Sequence, residues 1–306
     1  MNKGLAEIAL RVEGLTKRYG DLVAVDQLSL EVRRGEILGF LGPNGAGKTT
    51  TLKMLCGLLR PDAGRIELDG SVGVSPQEIV VWEGLTCQEQ LEFCGQIYDL
   101  PAAEARRRAG DLLEAFGLQE KARALAKTLS GGMLRRLNIA LGLVHRPQLL
   151  FLDEPQAGLD PQSRVLVREY VRALAGEMTV VVTTHDMEEA DKLSDRVCIM
   201  DRGQLLVMDT VEGIKGQLGE GDLYEIELAA GEAEALRPHV EGLPGAREGL
   251  SVQGDTLRFT STRDSALLTE ILHAVDRQGL TLEQLRLRKT TLEDVFIRLT
   301  GRGLRA

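Results

Sequence analysis

The stretch GPNGAGKT at residues 42–49 decides the fold of this chain. It matches the pattern GxxxxGK[ST] and lies between an apolar run typical of a strand, EILGFLG at 36–42, and a segment with helical spacing, TTTLKMLCGLL at 49–59. Glycine amides can surround phosphate oxygens, and a helix N-terminus adds partial positive charge. The order strand, glycine loop, helix therefore predicts a phosphate-binding loop, in which Lys48 reaches the phosphates and the Thr49 hydroxyl is a ligand of Mg²⁺.

A second apolar run, LLFL at 149–152, ends in two adjacent carboxylates, Asp153 and Glu154. Acids at the end of a buried strand are costly unless they have cationic or metal partners. Asp153 suits a water-mediated contact to an Mg²⁺ ion held by Thr49, and Glu154 suits the orientation and deprotonation of an attacking water. Together with the phosphate-binding loop, this strand predicts hydrolysis of a nucleoside triphosphate.

The pattern along the chain predicts an α/β core with an inserted helical subdomain. Strand-like runs occupy residues 6–41, short apolar runs at 147–153 and 179–184 are typical of buried parallel strands, and 86–126 and 161–176 are helical in pattern. Strands and helices thus alternate around the phosphate-binding loop, as they do in α/β proteins.

A change in composition at QLGEGD, residues 217–222, predicts a domain boundary. Beyond it we expect an α+β module with the order strand, helix, Gly-rich turn near 242–254, strand, helix, strand, helix. We therefore predict a nucleotide-binding domain at 1–219, with its helical subdomain at about 78–145, and a C-terminal α+β accessory or regulatory domain at 220–306.

Composition and charge exclude several classes of protein. The chain has 306 residues, and 37 Lys and Arg against 46 Asp and Glu give a net charge of −9, so no nucleic-acid partner is expected. No run of 18 apolar residues and no signal-peptide core occurs, which predicts a cytoplasmic protein without a membrane span. The four cysteines lack CxxC spacing, so neither a zinc site nor a disulfide framework is indicated.

The sequence LSGGM at residues 129–133 precedes a helical segment, and a serine hydroxyl with glycine amides at a helix N-terminus can form an anion site. Here the chain resembles the ATP-binding cassette (ABC) family, whose signature LSGGQ lies just upstream of the acidic strand. The resemblance covers residues 5 to about 215 and implies a P-loop NTPase cassette with an antiparallel β subdomain. It also implies that this loop contacts ATP bound to a second copy, and Met133 stands where the family usually has Gln.

Other family positions follow from the same resemblance. Tyr19 matches the aromatic that stacks on adenine, Gln77 matches the glutamine that joins the Mg²⁺ shell and senses the membrane partner, and His185 matches the histidine that contacts the γ-phosphate. The loop at 157–160 matches the one that crosses the dimer interface, with Gln156 where the family often has Thr or Ser. The segment at 70–73 is shorter than the polar hairpin usual in relatives, which affects the surface near the membrane partner.

The candidate site residues form three sets. The predicted catalytic residues are Glu154 and His185, and the predicted metal ligands are Thr49, Gln77 and Asp153. The predicted ATP-binding residues are Tyr19, Gly42, Pro43, Asn44, Gly45, Ala46, Gly47, Lys48, Thr49, Thr50, Gln77, Ser130, Gly131 and Gly132. The implied cofactors are ATP and Mg²⁺.

The segment TLEDVFIRLTG at 291–301 resembles the ending of drug-export and other ABC-2-type export ATPases. The resemblance implies a motor subunit on the cytoplasmic face of the membrane, bound to a separate transmembrane permease and paired with a second copy or a close relative. The alternative is a soluble cassette ATPase that acts on ribosomes or DNA, although such relatives usually carry two cassettes or long coiled coils. A regulator that only holds nucleotide is disfavoured by Glu154, and the transported substrate is not encoded here.

Overall fold

The computed structural model describes residues 7–217, 222–243, 248–261 and 265–300. Contacts divide the chain into two compact units, the first running to Asp209 and the second beginning at Thr210. This division falls earlier than the boundary expected at 219/220. A short helix just after Thr210 belongs to the second unit because it packs there against the last of the described helices.

The first unit contains two sheets. Its strands are β1 (Ile8–Tyr19), β2 (Leu22–Arg33), β3 (Ile37–Leu41), β4 (Ala63–Leu68), β5 (Val72–Ser75), β6 (Leu149–Asp153), β7 (Thr179–Thr184), β8 (Arg196–Asp201) and β9 (Gln204–Thr210). The six-stranded sheet has the order β5-β6-β7-β3-β8-β9, and the strands from β5 to β8 pair in parallel. The three-stranded sheet, β2-β1-β4, is antiparallel. The fold class expected from the sequence, including the antiparallel β subdomain, is confirmed.

The parallel sheet positions the site. Every residue of β3 and of β6 is buried, as expected for strands covered on both faces. Since the carboxyl ends of parallel strands meet at one edge of a sheet, the segments that follow β3, β6 and β7 lie together there. These segments carry the phosphate-binding loop, Glu154 and His185.

The first unit also contains α-helices. They are α1 (Lys48–Leu55), α2 (Cys87–Ile97), α3 (Ala102–Ala115), α4 (Gly131–Leu143), α5 (Pro161–Ala173) and α6 (Met187–Leu193). The segment at 86–126, expected to be helical, contains α2 and α3 followed by single 3-10 turns at Gln119–Lys121 and Ala126–Thr128. Helices α2, α3 and α4 lie between β5 and β6 along the chain, and they pack against one another. No helix among the described residues is long and apolar enough to cross a membrane.

The second unit is a four-stranded antiparallel sheet with helices. Its elements are α7 (Val211–Gly216), β10 (Asp222–Leu228), α8 (Ala233–Glu241), β11 (Glu248–Gln253), β12 (Thr256–Ser261), α9 (Ser265–Gln278), β13 (Leu282–Lys289) and α10 (Leu292–Thr300). The strand order β11-β12-β10-β13 and the βαββαβ sequence from β10 to β13 give a ferredoxin-like arrangement. Its core includes Tyr224 stacked on Phe259, with ring centroids 4.9 Å apart.

The structure corrects the expectation of a Gly-rich turn over 242–254. Within that range, residues Glu248–Gln253 form β11, which pairs with β12 through Gln253 opposite Thr256. Residues 244–247 of the expected turn lie outside the described residues. Hydrogen bonding to the neighbouring strand β12 outweighs the low strand propensity of this glycine-containing segment.

Candidate active site

The glycines of the phosphate-binding loop are required by its geometry. Gly45 and Gly47 have φ values of +81° and +100°, in the left-handed region that favours glycine. A Cβ atom on Gly42 would clash with the carbonyl oxygen of Met200, and one on Gly47 would clash with that of Ala24. The loop therefore passes so close to the main chain at Met200 and Ala24 that a side chain at Gly42 or Gly47 would not fit. Helix α1 begins directly after the loop.

Lys48 lies at the start of α1 and is 5% exposed. Its Nζ atom donates hydrogen bonds to the carbonyl oxygens of Gly42 at 2.7 Å and Pro43 at 3.1 Å. Burial lowers the pKa of Lys48, and the negative charges of Glu154 and Asp153 oppose that shift. Two carbonyl oxygens and the charges of two carboxylates thus stabilise the buried ammonium group of Lys48 beside the glycine loop. In this position it can bind a phosphate group.

Thr49 and Asp153 come from different elements and meet at the edge of the sheet. The Thr49 hydroxyl donates to Oδ1 of Asp153 at 3.2 Å, and the Thr183 hydroxyl donates to the same oxygen at 2.5 Å. Hydroxyl and carboxylate oxygens are ligands that Mg²⁺ accepts. Among the described residues no group of three or more His, Cys, Asp and Glu could hold a metal. A site with one carboxylate fits Mg²⁺, which commonly completes its shell with phosphate oxygens and water.

Glu154 has φ of +47°, a strained conformation for a residue with a side chain. Its amide donates to the carbonyl and to the hydroxyl oxygen of Thr183, at 3.2 and 3.0 Å. Its carboxylate Oε1 lies 3.0 Å from Nδ1 of His185. The glutamate is held at both its main chain and its carboxylate, as the orientation of an attacking water requires.

An open cleft of about 740 Å³ contains most of the predicted residues. It is lined by Tyr19, Leu22, Val23, Ala24, Asn44, Gly45, Ala46, Gly47, Lys48, Thr49, Thr50, Gln77, Glu154, His185 and Arg202. Gly42 and Pro43 instead form the base of the loop, as acceptors for Lys48. Asp153 is 2% exposed and lies behind Thr49.

The predicted residues Ser130, Gly131 and Gly132 lie instead at the N-terminus of α4. The Ser130 hydroxyl accepts from the amide of Met133 at 3.3 Å, so it caps that helix. Ser130 and Gly131 are exposed to solvent. Within one chain, the structure therefore brings the phosphate-binding loop, Gln77, Glu154 and His185 into one cleft and leaves the LSGG loop outside its lining.

Sequence reasoning missed Thr183 and Arg135. Thr183 is fully buried at the end of β7 and joins Asp153 to the amide of Glu154. Arg135 is 3% exposed on α4 and donates to the carbonyls of Asp153 and Glu154. An available signal was the arginine itself, because it stands on the helix face that also carries the buried Asn138, three positions further on.

Comparisons with known proteins identify the family of this chain. The profile of the ABC transporter family matches residues 25–157. The chain is 40% identical to the daunorubicin resistance ATP-binding protein DrrA3 of Streptomyces coeruleorubidus, over 97% of each chain. It is 42% identical to the Nod factor export ATP-binding protein I of Ralstonia nicotianae, over 97% of this chain and 95% of that one. A solved ATP-binding subunit of an ABC transporter superposes with a TM-score of 0.64 at 28% identity, over 69% of this chain and 93% of the other.

The parallel sheet, the phosphate-binding loop and the acidic strand end define a P-loop ATPase. The chain belongs to the ABC transporter family, and it is an ATP-binding, ATP-hydrolysing subunit of the type found among drug-resistance and Nod factor export proteins. The predictions of ATPase activity and of ABC membership are confirmed. The alternative of a cassette acting on ribosomes or DNA is not supported by these relatives.

Proposed function

We propose that this chain is the motor subunit of an exporter, in which Glu154 hydrolyses ATP and the closure of two cassettes drives a separate permease. The observation that carries the proposal is the position of Glu154 at the cleft. Its carboxylate is held by His185, and its main chain lies beside Asp153, which contacts Thr49 of the phosphate-binding loop. Export is supported by the names of the relatives, which are resistance and export proteins.

The predicted site residues have separate parts in hydrolysis. The amides of residues 44–49 and the ammonium group of Lys48 bind the phosphates, and half-exposed Tyr19 stacks on adenine. Thr49 and Asp153, joined by Gln77, would hold an Mg²⁺ ion that neutralises charge on the phosphates. Glu154 accepts a proton from the attacking water. His185 orients that carboxylate and contacts the γ-phosphate.

A second copy completes the site. Ser130, Gly131 and Gly132 lie outside the lining of the cleft in their own chain, at the N-terminus of a 13-residue helix. Helix N-termini attract anions, so this loop can bind the γ-phosphate held by a partner cassette. Two cassettes arranged head to tail, either identical or closely related, would then enclose two ATP molecules.

The permease binds an exposed apolar surface next to Gln77. Large apolar side chains there are 42–59% exposed, which is unusual for a water-soluble surface. They are Ile79, Val80, Trp82, Phe93 and Ile97. Trp82 contacts Phe93 edge to face, with ring centroids 5.6 Å apart, so the segment after Gln77 is continuous with α2 in this surface. Such binding would place the chain on the cytoplasmic face of a membrane.

The variant Glu154→Gln tests the proposed catalytic role. Glutamine keeps the shape of the side chain and removes the base, so we expect a hydrolysis rate lower by about 10² to 10⁴ with ATP binding retained. Glu177→Gln, at an exposed turn just before β7 and so at the opposite end of that strand from His185, is the matched control and should hydrolyse ATP at the wild-type rate. Near wild-type turnover by Glu154→Gln would contradict the assignment.

Copurification tests the transport role. We expect the tagged chain to copurify from detergent-solubilised membranes with a protein that has several membrane spans. Trp82→Glu places a charge in the apolar surface and should abolish this copurification while leaving ATP affinity unchanged. Copurification with ribosomes in place of a membrane protein would contradict the proposal.

A further inference from the structure

A buried arginine on α4 holds two segments of the active site together. Arg135 donates from Nη1 to the carbonyl oxygens of Pro76 and Gln77, at 3.0 and 2.6 Å. From Nη2 it donates to the carbonyl oxygens of Asp153, at 3.3 Å, and Glu154. One planar group therefore contacts four carbonyls, two that follow β5 and two at the end of β6.

The position is expensive for a charged side chain. Arg135 is 3% exposed, and its Nε atom is buried without a hydrogen-bond partner among the described residues. Burial lowers the pKa of Arg135, and the negative charges of Asp153 and Glu154 oppose that shift. Since well-packed apolar side chains are often at least as stabilising as buried ions, packing alone does not account for an arginine here.

The two segments that Arg135 joins have different parts in the proposed function. Residues 153 and 154 carry the metal-binding carboxylate and the base. Gln77 lines the cleft and begins the segment that presents exposed apolar side chains at 79, 80 and 82. A guanidinium group has a rigid fork geometry, so it fixes the distance and orientation between the acceptors on its two nitrogens.

Asn138 fastens the same segment one turn further along α4. Its Nδ2 atom donates to the Ser75 hydroxyl at 3.1 Å and to the Pro76 carbonyl at 3.2 Å. Its Oδ1 atom accepts from the amide of Val80 at 3.0 Å. The segment at 75–80 is thus bound to α4 at several points, and through Arg135 it is bound to the main chain of Glu154.

We infer that Arg135 is a positioning residue for Glu154, which makes the place of the catalytic carboxylate depend on the place of residues 76–80. This inference rests on the proposed function, since it needs Glu154 as the base. The strained φ of Glu154 supports it, because a left-handed main chain persists only where its surroundings hold it. A shift of the surface at 79–82 would move the Arg135 contacts and with them the glutamate.

The variant Arg135→Lys tests this link in the full-length chain. Lysine keeps the charge and much of the stem, but a single ammonium group cannot reach both pairs of carbonyls in the same geometry. We expect kcat for ATP to fall by about 10²-fold, the cost of a displacement of roughly 1 Å, with ATP affinity unchanged. Arg135→Gln, which leaves no buried charge, should show the same loss of kcat.

Arg136→Lys is the matched control. Arg136 is the next residue of α4, and its Nη1 atom donates to one carbonyl, that of Phe116, at 2.7 Å. This contact lies within the helical subdomain, so Arg136→Lys should keep the wild-type kcat. Equal losses in the Arg135 and Arg136 variants would overturn the inference, because the loss would then reflect helix packing.

A double-mutant cycle separates positioning from a general structural role. If Arg135 acts through Glu154, Arg135→Lys should cause no further loss of rate in the Glu154→Gln background. Wild-type kcat in both Arg135 variants, the same loss in that background, or failure of both variants to fold by circular dichroism would overturn the inference. Failure of the proposed function is distinct, since Glu154→Gln alone would then hydrolyse ATP at the wild-type rate.

Discussion

Lys48 is buried directly after the glycines of the phosphate-binding loop, and its ammonium group donates hydrogen bonds to that loop. Lys48→Ala should weaken ATP binding by roughly 10- to 100-fold, since hydrogen bonds to charged groups contribute about 1.5–3 kcal/mol. Titration with a fluorescent ATP analogue measures this. Lys53→Ala, an exposed position on the same helix, is the control and should bind with wild-type affinity. Unchanged affinity in Lys48→Ala would contradict the phosphate site.

The Thr183 hydroxyl donates to Asp153 in a buried hydrogen bond, and it accepts from the amide of Glu154 in a partly buried one. Thr183→Val keeps the shape and leaves that amide with the carbonyl of Thr183 as its remaining partner, so we expect a loss of about 1–3 kcal/mol in the free energy of unfolding. Chemical denaturation measures the loss.

Thr51→Val supplies the matched comparison for Thr183→Val. Thr51 is fully buried on α1, but its hydroxyl oxygen has no hydrogen-bond partner in the described part of the chain. Replacing an unpartnered buried hydroxyl with a methyl group removes a desolvation cost, so Thr51→Val should leave stability unchanged or raise it. Equal destabilisation by the two substitutions would show that the Thr183 bonds contribute nothing specific.

The sequence predicted those site residues whose type carries the chemistry. The sequence shows a lysine after a glycine loop, two acids after an apolar strand and a histidine after the next strand. The structure places Lys48, Glu154 and His185 along one cleft. The sequence does not show the partners of Arg135 and Thr183, because the groups they bind are mainly main-chain carbonyls and amides. Every residue has those groups, so only the folded path shows which of them converge.

The helix α4 links the two proposed halves of the composite site, because Ser130 caps its start and Arg135 lies on its second turn. If the LSGG loop acts on ATP held by the partner, mixing Lys48→Ala with Ser130→Ala should restore ATPase activity. Each mixed dimer would contain one site with an intact phosphate-binding loop from one chain and an intact Ser130 from the other. Steady-state ATPase assays after demonstrated subunit exchange measure the recovery.

A mixture of Lys48→Ala with Glu154→Gln is the control for that experiment. Lys48 and Glu154 line the same cleft of one chain, so every site of such a mixed dimer has a defect. No recovery is expected there. Recovery in both mixtures, or in neither despite exchange, would contradict a head-to-tail arrangement of cassettes.

Among the elements, β11 shows the limit of sequence patterns. Residues 242–254 contain four glycines and a proline, which is typical of a turn. The strand forms because β12 offers an edge with which Ser251, Val252 and Gln253 pair in register. The buried apolar runs β3, β6 and β7 were predictable because their composition is typical of strands covered on both faces of a parallel sheet.

The second unit has its own hydrophobic core, which predicts that it folds separately from the cassette. Core residues from its sheet and from α8 and α9 are almost completely buried within the unit, including Tyr224, Leu236, Phe259 and Ile271. Ion pairs join Arg288 to Glu225 and to Asp294 within the same unit. A unit with a closed core and internal ion pairs is suited to tune the dimer or the response to the permease, and we propose that role for it.

Truncation shows where the boundary between the two units lies. A chain that ends at Asp209 should bind ATP as tightly as the full chain, because every described residue of the cleft belongs to the first unit. A chain that ends at Gly219 keeps α7 but lacks α10, against which α7 packs, so buried Val211 and Ile214 would be exposed. Exposure of two such side chains costs about 1.5–3 kcal/mol each.

We therefore expect the chain that ends at Gly219 to aggregate more than the chain that ends at Asp209, while both show altered dimerisation or an altered ATPase response to the permease. Size-exclusion chromatography and ATP titration of the two proteins check this. Loss of ATP binding by the chain ending at Asp209, in protein that is folded by circular dichroism, would contradict the division of labour. Lower aggregation of the longer chain would instead place α7 with the cassette, because its apolar residues would then find their partners there.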